Sequence, residues 1–352
     1  MQQKPINVAI IGFGGMGSFH LKLMKKVPGK FNIIGSHDIL EERQAYARKK
    51  GLHAYDSDEA LLGDPNVELV VVATPNDLHK EIVINALEHG KHVICEKPVT
   101  MACADFEDMA AAAERCGRLF TVHQNRRWDP DYHTARQIFE SNTLGRTFHI
   151  ESRVHGSRGI PGDWRNKKEH GGGMLLDWGI HMLDQMLQMM GPRRLLSLYA
   201  QLTYITNENC DDGFRVYCKF EDDISFTVEV LTSNFINLPR WYILGENGSA
   251  VVRNWRRAGK IVKVSNWENR DAVPIQAGVG LTKTMAPRSW KTIRRYPLPK
   301  PRCDWTGYYR MVFDALRNEG PIPVTHDEQR RLLKLVEAMF VSGGENRVVE
   351  LE

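Results

Sequence analysis

The sequence predicts an α/β protein with two domains: a doubly wound parallel sheet, followed by an α+β domain with a large, mostly antiparallel, open-faced sheet. Three observations support this prediction. Up to about residue 125, short apolar runs alternate with helical patterns. A glycine-rich turn follows the first apolar run. From Thr147 onward, apolar and polar residues alternate as they do in half-buried strands.

The length and composition limit the classes of protein that fit. At 352 residues the chain exceeds one ordinary core. We place one domain at residues 1–125 and another at residues 126–352, with a C-terminal helix or tail that can pack back on the first. The net charge of +4 comes from scattered basic pairs, which disfavours a nucleic-acid partner. Six cysteines without a CxxC pair, and no signal peptide or membrane span, predict a cytoplasmic protein.

The first strand, Ile6–Ile11, runs into a glycine turn and then a helix. The turn consists of Gly12, Phe13, Gly14, Gly15, Met16 and Gly17. Its GxGxxG pattern is weak evidence alone, but its position between the first strand and a helix is typical of dinucleotide-binding folds. Glycine lets the backbone approach a pyrophosphate closely, and the helix N-terminus offers the anion free N–H groups.

The second predicted strand, residues 31–37, ends at Asp38, about 20 residues after the glycine turn. A carboxylate in this position binds the ribose hydroxyls of NAD and repels the 2′-phosphate of NADP. The alternative is an aspartate that merely begins a turn. We therefore predict NAD, with NADP as the open alternative because Ser36, His37 and Arg43 lie close by.

Further strands are predicted at residues 68–73, 92–95 and 119–124, with helices between them. In a parallel sheet, ligands bind beyond the carboxyl ends of the strands. Three polar segments follow strand ends and are candidate site segments: Thr74-Pro75-Asn76, Glu96-Lys97-Pro98 and Asn125-Arg126-Arg127-Trp128-Asp129-Pro130.

A glycine run, Gly171 to Gly173, opens a predicted helix in the second domain. Asp177, His181 and Asp184 are spaced i, i+4 and i+7, so they share one face of that helix. Their neighbours are apolar, and buried carboxylates and imidazoles need a partner or a ligand. By residue type alone, a solvated stripe or a core histidine held by an aspartate fits as well. A divalent metal is a further alternative, but no other His or Cys cluster supports it, and we predict no metal.

These motifs, in this order, resemble the glucose-fructose oxidoreductase / inositol dehydrogenase / MocA family. The resemblance covers residues 6 to about 190, and residues 321–351 are similar to the family's returning helix and tail. Its most specific part is Glu-Lys-Pro followed about 80 residues later by Gly-Gly-Gly-x-Leu-x-Asp-x-Gly-x-His. The resemblance implies a Rossmann domain that binds NAD. It also implies a dehydrogenase of CH–OH donors that oxidises a secondary hydroxyl of a sugar, a glycoside or an inositol-like cyclic polyol.

The resemblance also implies catalytic roles for three residues. Lys97 would hydrogen-bond the reacting hydroxyl, and its bond to Pro98 is often cis in this family. His181 would be the general base, and Asp177 would orient either His181 or Lys97. The chemistry agrees, because a hydride leaves an alcohol readily only as the oxygen loses its proton. A cationic lysine stabilises the developing alkoxide.

The motifs and the resemblance together assign the binding residues. We expect the cofactor to contact the glycine turn and the following residues: Asp38, Arg43, Thr74, Pro75, Asn76, His79, Glu96, Lys97 and Gln124. We expect the substrate to contact Lys97, Arg127, His155, Trp164, Arg165, Asp177 and His181. Alternatives stay open for three of them. His155 could line the site or lie outside it. Trp164 could stack on a sugar ring or pack under its loop, and Arg127 could hold a substrate hydroxyl or pair with Asp129 or Asp131.

The remaining sequence predicts strands, a long irregular segment and closing helices. The open sheet face needs burial, so we expect a homo-oligomer, a dimer or a tetramer. Residues 266–305 show little periodicity. A loop of this length is usually functional, and we interpret it as an arm that packs on a neighbouring subunit.

Two alternative functions share these motifs. Some relatives retain bound NAD and use transient oxidation to cleave a glycosidic bond or to exchange hydride between sugars. A nucleotide-bound regulator is the alternative from another class, although a pure sensor has no need of Lys97 and His181.

Overall fold

The computed structural model describes residues 3–267 and 273–351. Its first sheet has six parallel strands in the order β3-β2-β1-β4-β5-β6. The strands are β1 (Ile6–Ile11), β2 (Phe31–His37), β3 (His53–Ala54), β4 (Leu69–Val72), β5 (His92–Cys95) and β6 (Phe120–Val122). The helices are α1 (Gly15–Met24), α2 (Glu41–Lys49), α3 (Asp58–Gly63), α4 (His79–Glu88) and α5 (Cys103–Cys116). The doubly wound prediction is confirmed.

The central strands of this sheet are buried on both faces. All four residues of β4 are buried, and β1 is buried except at Asn7. Such continuous apolar runs are typical of parallel strands covered by helices. Because β1, β4 and β5 are parallel neighbours, their carboxyl ends lie at one edge of the sheet. This edge carries the glycine turn, residues 73–76 and residues 96–98.

The second sheet has nine strands in the order β16-β13-β12-β11-β7-β10-β9-β8-β17. Its strands are β7 (Thr147–His155), β8 (Leu195–Thr203), β9 (Gly213–Phe220), β10 (Ser225–Leu231), β11 (Trp241–Gly245), β12 (Gly248–Val252), β13 (Gly259–Val264), β16 (Ile293–Tyr296) and β17 (Val349–Glu350). Only the β7–β10 pair is parallel within the described part of this sheet. The mostly antiparallel prediction is confirmed.

One face of the second sheet is buried and the other is open. Along β9, Phe214, Val216 and Cys218 are fully buried, whereas Tyr217 on the other face is 49% exposed. The buried face packs on α6 (Pro130–Glu140), α7 (Ile180–Met190) and part of α9 (His326–Glu345). The open-faced architecture is as predicted.

The C-terminal helices connect the two cores. Tyr308, Tyr309 and Val312 of α8 (Gly307–Arg317) lie in the core of the first sheet. On α9, Leu333 packs in that core and Leu332 in the second one. The end of the chain thus ties both sheets together and positions the groove between them.

The irregular segment is more ordered than its sequence indicates. It contains the hairpin of β14 (Ile275–Ala277) and β15 (Gly280–Thr282), and β16 pairs with β13 at the edge of the large sheet. Because β16 is an edge strand with two exposed arginines, its apolar period is too weak to read. Residues 268–272 of the predicted arm lie outside the described residues. Within the described chain, no helix has the length and apolar character that a membrane crossing requires.

Candidate active site

Lys97 stands where β5 ends and reaches across to the second domain. Its Nζ lies 3.0 Å from Oδ1 of Asp177 and 3.0 Å from the main-chain oxygen of the same residue. The Lys97–Pro98 peptide bond is cis. Among residues 3–267 and 273–351, the ammonium has no other hydrogen bond, so two of its three N–H groups are used and one is free for a ligand.

Asp177 lies in a π-helical turn that precedes α7. The turn spans Leu175–Gly179, and α7 begins at Ile180. Such turns frequently occur at functional sites. Asp211, which the sequence reasoning missed, accepts a hydrogen bond from the Leu175 N–H at 2.8 Å. The left-handed Gly173 makes room for it, because a Cβ there would lie 2.2 Å from Oδ1 of Asp211.

The Asp177 carboxylate is held between two cations. Its second oxygen, Oδ2, accepts a hydrogen bond from Nε of Arg165 at 3.1 Å. Burial opposes ionisation, but the charges of Lys97 and Arg165 outweigh it and lower the pKa of Asp177. Asp177 has no hydrogen bond to His181 in the described structure. Of the two predicted roles, the geometry supports the orientation of Lys97.

His181 is a buried imidazole, 6% exposed, whose Nδ1 has no hydrogen-bond partner among the described residues. Burial and the nearby charges of Lys97 and Arg126 hold the pKa of His181 well below its ordinary value. It is therefore neutral at neutral pH and able to accept a proton.

Asp184 and Arg127 form a separate, saturated ion pair. Nε and Nη2 of Arg127 donate to the two oxygens of Asp184 at 2.8 and 2.6 Å. Nη1 donates to Glu328 and to the Pro323 carbonyl, both at 3.0 Å. Asp184 thus does not join Asp177 in one site, because the π turn interrupts the helical spacing. Arg127 has almost no free donor for a substrate.

The two aspartates considered as alternative partners of Arg127 pair with other arginines. Asp129 pairs with Arg126 at 3.1 Å, and Asp131 pairs with the buried Arg240 at 2.8 Å. These contacts depend on helix and strand packing, which sequence proximity does not specify.

His155 does not line the site, contrary to expectation. Along β7, Ile150 and Val154 pack on the core that holds α7, so His155 projects from the open face of the sheet. There its Nε2 lies 2.6 Å from Glu229, and its Nδ1 accepts a hydrogen bond from the Leu238 N–H at 3.2 Å. The two-residue period of the strand places His155 on the face of the sheet opposite to α7.

Trp164 and Arg165 sit at the mouth of a cleft of about 380 Å³ between the two domains. The Arg165 guanidinium stacks 4.5 Å from the Trp164 ring and pairs with Asp163 at 2.8 Å. The lining residues are Gly15, Met16, Ala73, Thr74, Pro75, Asn76, Glu96, Lys97, Trp164 and Arg165.

The glycine turn forms one wall of this cleft and fits a pyrophosphate. A Cβ on Gly12 would lie 2.5 Å from the Ala73 oxygen, and one on Gly17 would lie 2.3 Å from the Gly12 oxygen, so these glycines allow close packing. At Gly14 and Gly15 a Cβ would meet nothing within 4 Å, which leaves open space before the N-terminus of α1. No side chain caps that helix, so its N–H groups are available to an anion.

Asp38 lies directly beside the glycine turn. Its Oδ2 accepts a hydrogen bond from the Phe13 N–H at 2.7 Å, and its Oδ1 accepts one from the Leu40 N–H at 3.0 Å. These bonds fix the carboxylate at the end of β2, where a ribose would lie. The Arg43 side chain is 43% exposed, with its Nε 3.5 Å from Glu42.

Two residues predicted to contact the cofactor make buried hydrogen bonds within the protein instead. His79 is fully buried, and its ring bridges the carbonyls of Pro98 and Thr74, each at 3.0 Å. Gln124 is 1% exposed, and its amide donates to Gln329 at 3.3 Å. Because neither side chain reaches the cleft surface, we withdraw both as cofactor contacts. Their motif positions are correct, but motif position does not reveal burial.

An aromatic wall beside His181 escaped the sequence reasoning. The Trp178 ring lies 6.4 Å from the His181 ring, and the Arg126 guanidinium lies 4.1 Å over Trp178. Trp255, from the β12–β13 turn, lies 6.0 Å from Trp178 and is 43% exposed. Nothing in the sequence indicates that this distant hairpin contacts the π-helical turn before α7.

The comparisons with known proteins agree with this architecture. Residues 6–124 match the family model described as "Oxidoreductase family, NAD-binding Rossmann fold", and residues 132–251 match the "GFO/IDH/MocA C-terminal domain". The chain is 38% identical to an uncharacterized oxidoreductase of Schizosaccharomyces pombe, over 99% of this chain and 100% of the relative. It is 27% identical to the scyllo-inositol 2-dehydrogenase (NADP(+)) IolW of Bacillus subtilis, over 99% and 96% of the two chains. The crystal structure of an NAD-binding protein from Listeria innocua superposes with a TM-score of 0.95 at 44% identity, covering 99% of this chain and 100% of that one.

Proposed function

Because this chain belongs to the GFO/IDH/MocA oxidoreductase family, we propose that it is an NAD-dependent dehydrogenase of a sugar, glycoside or cyclic polyol. One observation carries the proposal. The Lys97 ammonium, fixed 3.0 Å from Asp177, lies at the rim of the cofactor cleft and close enough to the buried His181 for its charge to lower the pKa of that imidazole. This combination supplies a hydrogen-bond donor and a neutral base for one alcohol.

The residues of this site divide the work on the substrate hydroxyl. The free N–H of Lys97 donates to the hydroxyl oxygen and stabilises negative charge there. His181, neutral because of its low pKa, takes the hydroxyl proton. Asp177 positions Lys97 and balances its charge. When bound, oxidised nicotinamide supplies the acceptor for the hydride of the substrate carbon that carries this hydroxyl.

The cleft residues favour NAD over NADP. The glycine turn and the N-terminus of α1 would hold the pyrophosphate, and residues 74–76 and Glu96 would line the cofactor further along the cleft. Asp38, fixed by two main-chain N–H groups, would accept from the ribose hydroxyls. Its negative charge opposes a 2′-phosphate.

The substrate would lie between Lys97, His181, Trp164 and Arg165. Trp164 offers an apolar ring edge and Arg165 offers donors, which suits the mixed C–H and O–H surface of a sugar or an inositol. The relative named scyllo-inositol 2-dehydrogenase supports a substrate of this class. We leave Arg127 and His155 out of the substrate site because their polar atoms are engaged elsewhere.

We propose a homo-oligomer, a dimer or a tetramer, formed through the open sheet face. Tyr199 and Tyr217 pair across β8 and β9 on that face and are 39% and 49% exposed. The β14–β15 hairpin presents the exposed Leu281, which supports an arm that packs on a second subunit. The mass in solution by light scattering, before and after Tyr217→Asp, tests the interface. The six free cysteines support a location in the cytoplasm.

The test of function is turnover against a panel of sugars, glycosides and inositols, with NAD and NADP in parallel, read at the nicotinamide absorbance. We expect net NADH formation with at least one member of the panel and faster turnover with NAD. Asp38→Ala should narrow the NAD preference, whereas Glu42→Ala on the neighbouring surface should not. If tight cofactor binding occurs without net reduction by any member, the dehydrogenase proposal is wrong.

A further inference from the structure

A buried hydrogen-bond network lies directly behind the catalytic lysine. Oε1 of Glu96 lies 2.8 Å from Nε2 of His20 and 2.8 Å from Nδ1 of His123. Its other oxygen, Oε2, accepts a hydrogen bond from the main-chain N–H of Lys97 at 3.1 Å. The Tyr309 hydroxyl lies 2.9 Å from Nδ1 of His20 and 3.4 Å from Nε2 of His123.

The network joins four parts of the fold. His20 belongs to α1, the helix that begins at the glycine turn; Glu96 follows β5 and His123 follows β6. Tyr309 belongs to α8, the helix that returns from the C-terminal part of the chain. None of the four side chains is more than 6% exposed, and Glu96 alone also lines the cofactor cleft.

The hydrogen bonds around Glu96 fit an ionised carboxylate. An ionised carboxylate only accepts, so both imidazoles donate an N–H to Oε1. Burial and the nearby His123 lower the pKa of His20 to about 4, so His20 is neutral and its Nδ1 accepts the Tyr309 proton. Burial opposes ionisation of Glu96, but the charge and hydrogen bond of His123 and the hydrogen bond of His20 outweigh it and hold the pKa of Glu96 well below its ordinary value.

We propose that His20, His123 and Tyr309 form a positioning network that holds the Glu96 carboxylate at the cofactor cleft, so that the protein binds oxidised nicotinamide in preference to reduced nicotinamide. The inference rests on the proposed function, because it requires a nicotinamide nucleotide in this cleft. The oxidised ring carries a positive charge and the reduced ring is neutral. A fixed carboxylate at the cleft distinguishes the two by charge alone.

The ion pairs of the neighbouring cations support this electrostatic role of Glu96. Lys97 is paired with Asp177, and Arg165 is paired with Asp177 and Asp163. The cations nearest the cleft therefore have their own carboxylates. Glu96 lines the cleft and has as partners two imidazoles and one main-chain N–H, and within the described chain neither Lys97 Nζ nor Arg165 is hydrogen-bonded to its carboxylate.

The same three side chains have the composition of a metal site, since ligand atoms of His20, Glu96 and His123 lie within 4.8 Å of one another. The contacts favour hydrogen bonds. Both imidazole nitrogens approach one carboxylate oxygen at 2.8 Å, which is an N–H···O distance, and the second oxygen is bonded to a main-chain N–H. A zinc ion would lie about 2 Å from each ligand atom and would need a gap that these contacts close.

The test is the ratio of the dissociation constants of NADH and NAD, titrated separately by intrinsic fluorescence or calorimetry without substrate. Glu96→Gln keeps the shape and a carbonyl acceptor but removes the charge. We expect it to weaken NAD binding relative to NADH binding, shifting the ratio by about tenfold. General loosening of the cleft weakens both nucleotides alike and leaves the ratio unchanged, so the ratio separates the electrostatic role from a structural one.

A second variant removes the support instead of the charge. Tyr309→Phe deletes the donor to His20 and should move the ratio in the same direction by about threefold. Tyr308→Phe is the matched control, since this neighbouring side chain is similarly buried and its hydroxyl makes no hydrogen bond to His20, Glu96 or His123. We expect no change of the ratio in this control.

The outcomes separate the two proposals. An unchanged ratio in folded Glu96→Gln, or in Tyr309→Phe if the former does not fold, overturns the network proposal and leaves the dehydrogenase proposal standing. A stoichiometric divalent metal in the purified protein, lost on His123→Gln, also overturns it. If the wild-type protein binds neither nucleotide, the proposed function itself is wrong.

Discussion

Asp177 and Asp184 lie on one helical segment, and each pairs with a cation from the first half of the chain. The two ion pairs differ in how many N–H donors of the cation remain unbonded. Lys97 gives two of its N–H groups to Asp177 and keeps the third beside the cleft. Arg127 gives nearly all its donors to Asp184, Glu328 and Pro323. The first pair has an unused donor beside an imidazole whose Nδ1 has no partner among the described residues, whereas the second pair uses four of the five N–H groups of its arginine. Residue type does not distinguish them, but hydrogen-bond saturation does.

The largest expected effect is on turnover, at the unsaturated pair. Lys97→Ala removes the donor that we propose stabilises the developing alkoxide, and kcat should fall by about 10³-fold. The free energy of unfolding should change by about 1 kcal/mol or less, because Arg165 still pairs with Asp177. Steady-state kinetics and urea unfolding measure the two effects. Lys80→Ala, at an exposed ion pair on α4, is the control; turnover of the Lys97 variant within tenfold of this control would contradict the assigned role.

The opposite pattern is expected at the saturated pair. Arg127→Met leaves the buried Asp184 carboxylate without its cation and should lower the free energy of unfolding by about 3 kcal/mol. The kcat of the folded fraction should change by less than about tenfold, since four of the five N–H groups of Arg127 are already bonded within the protein. Removing both charges, as Arg127→Met with Asp184→Leu, should restore most of the stability. A large loss of kcat at unchanged stability would return Arg127 to the substrate site.

The same comparison shows how far the sequence could lead. The alternation of strands and helices, the glycine turn and the polar segments at the strand ends could be predicted, because local patterns encode them. The partner of Arg127 was not, since Asp184 and Glu328 meet it only through tertiary packing. The π turn also left no signal in the residue spacing.

Two further misses have the same origin. His155 lies in a correctly predicted strand. The sequence does not indicate which face of the open sheet packs on α7, and so it does not indicate on which face His155 lies. Trp255 reaches Trp178 only because the β12–β13 hairpin folds over that helix. Local periodicity predicts elements, whereas the choice of contacts depends on how distant elements pack.

A third aspartate extends the comparison to the start of the helical segment. Burial raises the pKa of Asp211 to about 7, although the hydrogen bonds from main-chain N–H groups oppose this shift. Because the folded pKa lies above the unfolded value, this residue contributes stability at low pH that is lost as the pH rises through about 7. Between pH 6 and pH 7 the loss should be about 1 kcal/mol, and it should level off above pH 7, where Asp211 is ionised in both the folded and the unfolded state.

Asp211→Asn should remove this dependence, because the amide oxygen still accepts from Leu175 and cannot ionise. Unfolding by urea at pH 6, 7 and 8 compares the two proteins, and the difference between them isolates Asp211 from other titrating groups. Parallel stability curves for wild type and variant would show that Asp211 does not titrate in this range.

The smallest expected effect concerns His181, the proposed base beside the unsaturated pair. Burial, and then the charges of Lys97 and Arg126, lower the pKa of His181, so the imidazole stays neutral as the pH falls below its ordinary value of 6.5. The acidic limb of kcat/KM should therefore lie below pH 6.5, and activity at pH 6 should exceed that of an enzyme with an unperturbed histidine base by a few-fold. Arg126→Met removes one of the two charges and should move this limb upward, whereas Arg136→Met on the distant α6 should not. A wild-type limb at or above pH 7 would contradict the assignment of His181 as the base.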